Sequence, residues 1–192
     1  MRWIALAAAL AAAAPAAVRA QPVSDPSGPD TYLDLRFGAF VPQHRDIEDL
    51  DEGFDVGAAF GARFTELLSV EAGLGYYRLP GPDGDGVLGI GTRPALWAIP
   101  LTVDLRVRQA FKTVELSVAG GAGLHFLETG GREDAAWAFQ VSARAAFQLS
   151  PVMLVGLDVR RTFLEASFDD PSPGIDLGLD ALSVTAVLSY RL

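Results

Sequence analysis

The stretch Leu96–Val107, LWAIPLTVDLRV, decides how the rest of the chain is read. Trp97, Ile99, Leu101, Val103 and Leu105 fall on one side of an extended chain, and Thr102, Asp104 and Arg106 fall on the other. A helix repeats its apolar residues every three or four positions; a strand repeats every two, because successive side chains point to opposite faces. The spacing therefore predicts a strand with one apolar face and one polar, charged face. Pro100 sits inside it and has no N–H for a sheet ladder, so a bulge or a missing bond is expected there.

Seven further stretches carry the same alternation. Thr31–Pro42 sets Leu33, Leu35 and Phe37 against Asp34, Arg36 and Gly38. Phe54–Phe64 sets Val56, Phe60 and Phe64 against Asp55, Gly57 and Arg63. Leu68–Leu79 opposes Val70 and Leu74 to Ser69, Glu71 and Tyr77, and Val114–Phe126 opposes Leu116 and Val118 to Glu115 and Ser117. Trp137–Leu149 separates Phe139 and Val141 from Gln140 and Arg144. Val152–Phe163 separates Val155 and Leu157 from Asp158 and Arg160, and Leu182–Leu192 separates Leu188 and Tyr190 from Ser189 and Arg191. The connections alternate too. Short ones are Thr65–Leu67, Arg108–Thr113 and Ser150–Pro151; long ones are Gln43–Gly53, Pro80–Ala95, Leu127–Ala136 and Leu164–Ala181. Eight antiparallel strands with short turns on one rim and long loops on the other predict an all-β, up-and-down barrel.

Upstream, Met1–Ala20 reads as a cleaved signal peptide: Arg2, an apolar run broken by Pro15, then Val18-Arg19-Ala20 before Gln21. The run before Pro15 is too short for the roughly 20 residues that a membrane-spanning helix needs. Gln21–Asp30 is a short Pro/Ser/Gly-rich tail, leaving Thr31–Leu192 as the barrel domain. Half of the 192 residues are apolar, enough for one domain and too many for a disordered chain. There is no cysteine, which removes disulfides, thiol nucleophiles, Cys-ligated metals and an N-terminal lipidated Cys. Loss of Arg2 and Arg19 leaves 13 bases against 24 acids, −11, which argues against a nucleic-acid partner.

Period two by itself fits two barrels: a soluble one with its apolar face inside, and a membrane one with that face against lipid. The composition of the polar face favours lipid. It carries six acids, Asp34, Asp55, Glu71, Asp104, Glu115 and Asp158, and six bases, Arg36, Arg63, Arg106, Arg144, Arg160 and Arg191. Matched numbers are what a confined interior requires, since an unpaired buried charge is heavily penalised. Every base is Arg, whose planar fork pairs bidentately with carboxylate. The remaining residues of that face are small, among them Gly57, Gly61, Gly73, Gly121, Gly123 and Gly156, leaving room for long side chains. A lipid-facing Arg costs about 2–4 kcal/mol at mid-bilayer, so turning this face outward would exceed the stability of the protein. Arg161 and Arg78 are the exceptions, close enough to the long-loop rim to reach head groups. Phe54, Tyr76, Trp97, Trp137 and Phe163 lie toward the long loops and Phe64, Phe147 and Tyr190 toward the short turns, as two interfacial girdles would.

The strand count, the Ala98–Val103 run AIPLTV, the Gly120–Phe126 run GGAGLHF and the alternating C-terminal strand with Tyr190 together make the chain resemble the small eight-stranded outer-membrane barrels of the OmpA/OmpX type, within the porin-like outer-membrane barrel superfamily. The resemblance covers Thr31–Leu192. It implies the outer membrane of a diderm bacterium, contact with its lipid and lipopolysaccharide, and insertion by the barrel-assembly machinery.

For function, the twelve inward charges are expected to form an ion-pair network that plugs the lumen, because an eight-stranded interior is just wide enough for side chains to fill. Rearranging pairs leave room for minor ion permeation. The four long connections carry fourteen acids, not counting Asp180 at the base of the last, against Arg45, Arg93 and Arg132, an acidic surface for an extracellular partner or for solvation. Pro82–Gly86, PDGDG, resembles a calcium loop but lacks its spaced ligands and bidentate Glu. His44 and His125 are the only histidines, so no zinc site is expected. Barrel enzymes that deacylate lipid A carry His-x-Ser; here His125-Phe126-Leu127 stands instead, and no G-x-S-x-G occurs. The reading is a non-enzymatic outer-membrane barrel without cofactor, acting in envelope integrity or surface interaction. Its alternative is a soluble periplasmic lipocalin-like barrel binding an apolar ligand.

Overall fold

The computed structural model describes residues 30–43, 52–80, 95–168, 175–178 and 180–192. The signal peptide, the tail up to Pro29, the Pro82–Gly86 segment and most of the acids placed in the first two long connections lie outside them.

The described chain is all strand: β1 (Asp30–Pro42), β2 (Gly53–Arg63), β3 (Leu68–Leu79), β4 (Leu96–Phe111), β5 (Val114–Thr129), β6 (Arg132–Ser150), β7 (Met153–Phe168), β8 (Ile175–Gly178) and β9 (Ala181–Arg191). Each of β1 to β7 pairs antiparallel with the next, and β9 pairs with both β1 and β7, closing the sheet. β8 pairs with β7 in the register that β9 continues, Glu165↔Gly178 and then Thr162↔Ala181, so the two form one interrupted barrel strand. The result is a closed eight-stranded barrel. Closure matters energetically, since it leaves no edge strand with unpaired backbone groups.

Every strand keeps its predicted parity. Asp34 and Arg106 are 0% exposed, whereas Phe37 is 59% and Trp137 70% exposed. The apolar stripe is therefore the outer wall and the charged stripe the lumen. A lipocalin-like barrel needs the opposite assignment, so that alternative is overturned by the direction in which the side chains point.

Three boundaries differ from expectation. The predicted long connection Leu127–Ala136 is the end of a hairpin: β5 and β6 stay in register up to Thr129↔Arg132. Gly130 and Gly131, with φ of 59° and 78°, make a two-residue turn of the kind that matches strand twist. Glu128, Glu133 and Asp134 are thus on strands rather than in a loop. Leu164–Ala181 likewise begins as strand, with β7 running on to Phe168. At the short-turn rim, β4 runs to Phe111, and the turn is only Lys112-Thr113, with Lys112 at φ 52°.

Pro100 behaves as its chemistry requires. Pairing with β5 is kept at Pro100↔His125, but the β3–β4 ladder lacks the two pairs between Leu74↔Leu101 and Tyr77↔Ala98. The register on either side of the gap is unchanged, so the interruption is a local loss of bonding and not a bulge. Elsewhere the short-turn rim is tied by local bonds: Thr65 Oγ1 accepts from Leu68 N (3.0 Å), and Leu192 N donates to Thr31 O (3.0 Å) across the closing seam.

Candidate functional site

The lumen is stacked in layers, and each layer follows from which inward residue each strand offers at that height. Nearest the short turns, Arg63 pairs with Asp30 (2.9 Å) and Glu115 (3.6 Å), Arg108 pairs with Glu115 (3.4 Å), and Arg191 approaches Asp30 (3.8 Å). Asp30 and Arg108 were not among the expected site residues. The sequence places Asp30 at the end of the tail and Arg108 at the start of a turn, although Arg108 continues the Asp104, Arg106 parity by one more step.

Above this lies the most densely bonded layer. Arg106 grips Glu71 with two bonds, Nε to Oε1 (2.6 Å) and Nη2 to Oε2 (3.0 Å), and also donates to Ser117 Oγ (3.0 Å). Arg144 donates to Asp34 (2.5 Å) and to Asp158 (3.1 Å), and lies 3.9 Å from Glu71. Arg106 also lies 3.6 Å from Asp158, and Ser189 Oγ donates to the second Asp34 oxygen (2.5 Å). Tyr32 links this layer to the one below: its hydroxyl donates to Glu71 (2.7 Å) and accepts from Arg108 (2.6 Å), whose guanidinium lies 4.7 Å from the ring centre. Two glycines make this packing feasible. A Cβ on Gly61 would overlap the Tyr32 ring, and one on Gly121 would overlap Asp104 Oδ1.

Higher again, Gln140 bridges Asp104 (2.6 Å) and Arg160 (3.1 Å), while Arg160 lies 3.7 Å from Asp104 and 3.8 Å from Asp158. Ser183 Oγ donates to Asp55 through a short bond. Arg36 and Asp55 reach this level but join no ion pair. Ten of the twelve expected residues therefore meet within 4.0 Å of an opposite charge, and these two do not.

Toward the long loops the inward face turns apolar. Phe40 and Tyr77 stack at 4.1 Å with 7° between ring planes, and Leu79, Leu96, Ala98, Leu127, Ala138, Leu164 and Ala181 are buried around them. Sequence reasoning missed this layer because Leu127, Leu164 and Ala181 fall in stretches that read as long connections, and the apolar residues at inward parity near the strand ends, Leu79 and Leu96 among them, do not stand out beside a charged face. Below it, Tyr77 Oη meets His125 Nδ1 (3.2 Å), and a cavity of about 30 Å³ separates the apolar layer from Arg160 and Gln140. Among the described residues no cluster of three or more His, Asp and Glu is arranged to hold a metal.

On the outer wall, Phe54, Tyr76 and Trp97 form a ladder at 5.6 and 6.3 Å near the long-loop rim. Arg161 lies on the same wall, 3.3 Å from Asp180 and over the Phe163 ring. Apolar residues cover the wall between the rims, which is the surface a bilayer requires.

A barrel with charge inside and hydrocarbon outside is the signature of one group of proteins, and residues 4–191 match the family described as outer membrane protein beta-barrel domain. The chain belongs to that family. Its fold is shared with neisserial surface protein A (NspA; TM-score 0.62, 10% identity, 84% of this chain and 97% of that one). It is also similar to OprG of Pseudomonas aeruginosa (TM-score 0.55, 12% identity, 85% and 97% covered) and to outer membrane protein W of E. coli (TM-score 0.54, 14% identity, 86% and 100% covered). No curated protein matches the sequence. Outer-membrane location follows from the family, and with it a lipid and lipopolysaccharide environment.

Proposed function

We propose that this outer-membrane barrel is a non-catalytic envelope protein with a closed lumen, serving envelope integrity or surface contact rather than bulk transport. The observation that carries this reading is the stacking of three bonded polar layers under an apolar layer inside one narrow barrel. An ion crossing the lumen would have to part Arg106 from Glu71 and Arg144 from Asp34, then pass the Phe40–Tyr77 stack. Breaking buried pairs of that kind costs several kcal/mol each. Permeation is therefore limited to small ions during rare rearrangements. In this reading Met1–Ala20 is the export signal, the barrel-assembly machinery inserts the protein, and the acidic segments between strands supply the outer contact surface. The inward histidine, His125, bonds to Tyr77 and has no serine beside it, which supports a non-enzymatic role.

Planar-bilayer recording of the purified barrel tests the proposal. Long silent records with brief small openings are expected. A large, steady conductance would overturn the closed lumen, and turnover of lipid A lost in His125→Ala would overturn the non-enzymatic role.

A further inference from the structure

On the outer wall, near the short turns, lies an open groove of about 560 Å³. That is within the roughly 300–1,000 Å³ of clefts that hold small molecules. β6 supplies its floor. Along that strand the outward side chains run Trp137, Phe139, Val141, Ala143, Ala145 and Phe147, so the wall sinks at the two alanines. The neighbouring strands make its sides: Val118 and Val159 flank Ala143, and Leu116 and Leu157 flank Ala145. These sides stand two strand spacings apart, roughly 10 Å, which leaves room for one polymethylene chain between them.

The groove has a direction. The ladder row through Ala143 passes Val118 and Val107 to Leu68. Leu68 opens β3 directly after a short turn, whereas Ala143 lies well inside β6. Strand tilt therefore sets the β3–β4 end of the row at the rim and the β6–β7 end deeper in the wall. At the rim end, polar groups face out. Gln109 lines the groove and is exposed, its amide making only a 3.4 Å bond to the adjacent Ala110 O. Lys112, the one lysine of the chain, is exposed in the β4–β5 turn three residues further on, about 10 Å along the strand. Among the described residues it joins no ion pair, not even with Glu66 of the β2–β3 turn.

The wall faces hydrocarbon, so the groove takes hydrocarbon rather than a water-borne ligand. Short turns lie on the periplasmic side, where the nearer leaflet is phospholipid. A chain entering at the rim brings its ester carbonyls level with the Gln109 N–H donors and its phosphate level with the Lys112 ammonium. We propose that this groove binds one anionic phospholipid, with an acyl chain on Ala143 and Ala145 and the phosphate at Lys112. The site rests on the outer-membrane placement of the barrel and holds whether or not the lumen conducts.

Native mass spectrometry of the purified barrel, released from micelles doped with dioleoyl phosphatidylglycerol or dioleoyl phosphatidylcholine, tests it. One phosphatidylglycerol is expected to stay bound at about fivefold lower lipid than phosphatidylcholine, equivalent to ~1 kcal/mol. Lys112→Gln should bring the two lipids level while leaving phosphatidylcholine retention as it was. Ala145→Phe should fill the floor and raise the lipid needed for both; should that variant fail to fold, Ala143→Leu makes the same test with a smaller side chain. Equal retention of the two lipids by the wild type, or retention unchanged by either substitution, would overturn the site. So would a dimer that Ala145→Phe dissolves, which would give the groove to a second copy of the chain.

Discussion

The middle and the top of the lumen are built on the same strands, face the same way and are equally buried, yet they are held by opposite means. In the middle, Arg144 and Arg106 are bonded to Asp34, Asp158 and Glu71 in directed contacts. At the top, Leu79, Leu96, Leu127 and Leu164 only fill volume around the Phe40–Tyr77 stack. The difference teaches how each layer fails. A charge network loses more than a contact when one member goes, because the survivors are left charged and unpaired. An apolar layer loses in proportion to the cavity opened.

The largest expected effect is therefore Arg144→Ala. It strands Asp34 and takes the closest cation from Asp158, and should cost about 3–5 kcal/mol, measured by urea unfolding in micelles or vesicles with tryptophan fluorescence. Adding Asp34→Asn should recover part of that loss, and strict additivity of the two changes would contradict a coupled network. Leu127→Ala probes the apolar layer. A loss of roughly 3 kcal/mol is expected, with no recovery from any charge-neutralising partner, and bilayer recordings should show more frequent small openings. Tyr32→Phe removes only the hydroxyl between Glu71 and Arg108. It should cost about 1–2 kcal/mol, less than Arg144→Ala, because both charges keep other partners. A cost equal to that of Arg144→Ala would mean that the hydroxyl, not the arginine, organises the middle layer. Lys112→Gly lies in neither layer. Relieving a positive φ on a residue with a Cβ should stabilise by about 1 kcal/mol without altering conductance, and a conductance change would tie the short-turn rim to lumen closure.

Much of this was legible from residue order. The two-residue period placed the polar face of all eight barrel strands, and the equal count of Arg and acid on one stripe pointed to a lumen. Pro100 announced the gap in the β3–β4 ladder. Gly130-Gly131 was a readable hairpin signal between two alternating runs, and following it would have converted the supposed Leu127–Ala136 loop into strand. Arg108 was legible in the same way, as the next inward position after Arg106. Other features were not. Nothing local marks Leu127 and Leu164 as lumen rather than loop, since an apolar residue at a strand end reads the same whichever way the rim closes, and Leu79 and Leu96, although at inward parity, carry no sign of the apolar layer they join.

Local pattern, then, determined strand, parity and wall, because side-chain direction in a strand is a property of the single chain. Which acid meets which base was decided only by tertiary structure. Asp34 and Arg144 are 110 residues apart, and their bond depends on stagger around the closed barrel, a quantity no single strand contains. The same stagger brings ten of the twelve charges into pairs and leaves Arg36 and Asp55 facing the cavity, a distinction that equal numbers of acids and bases could not reveal.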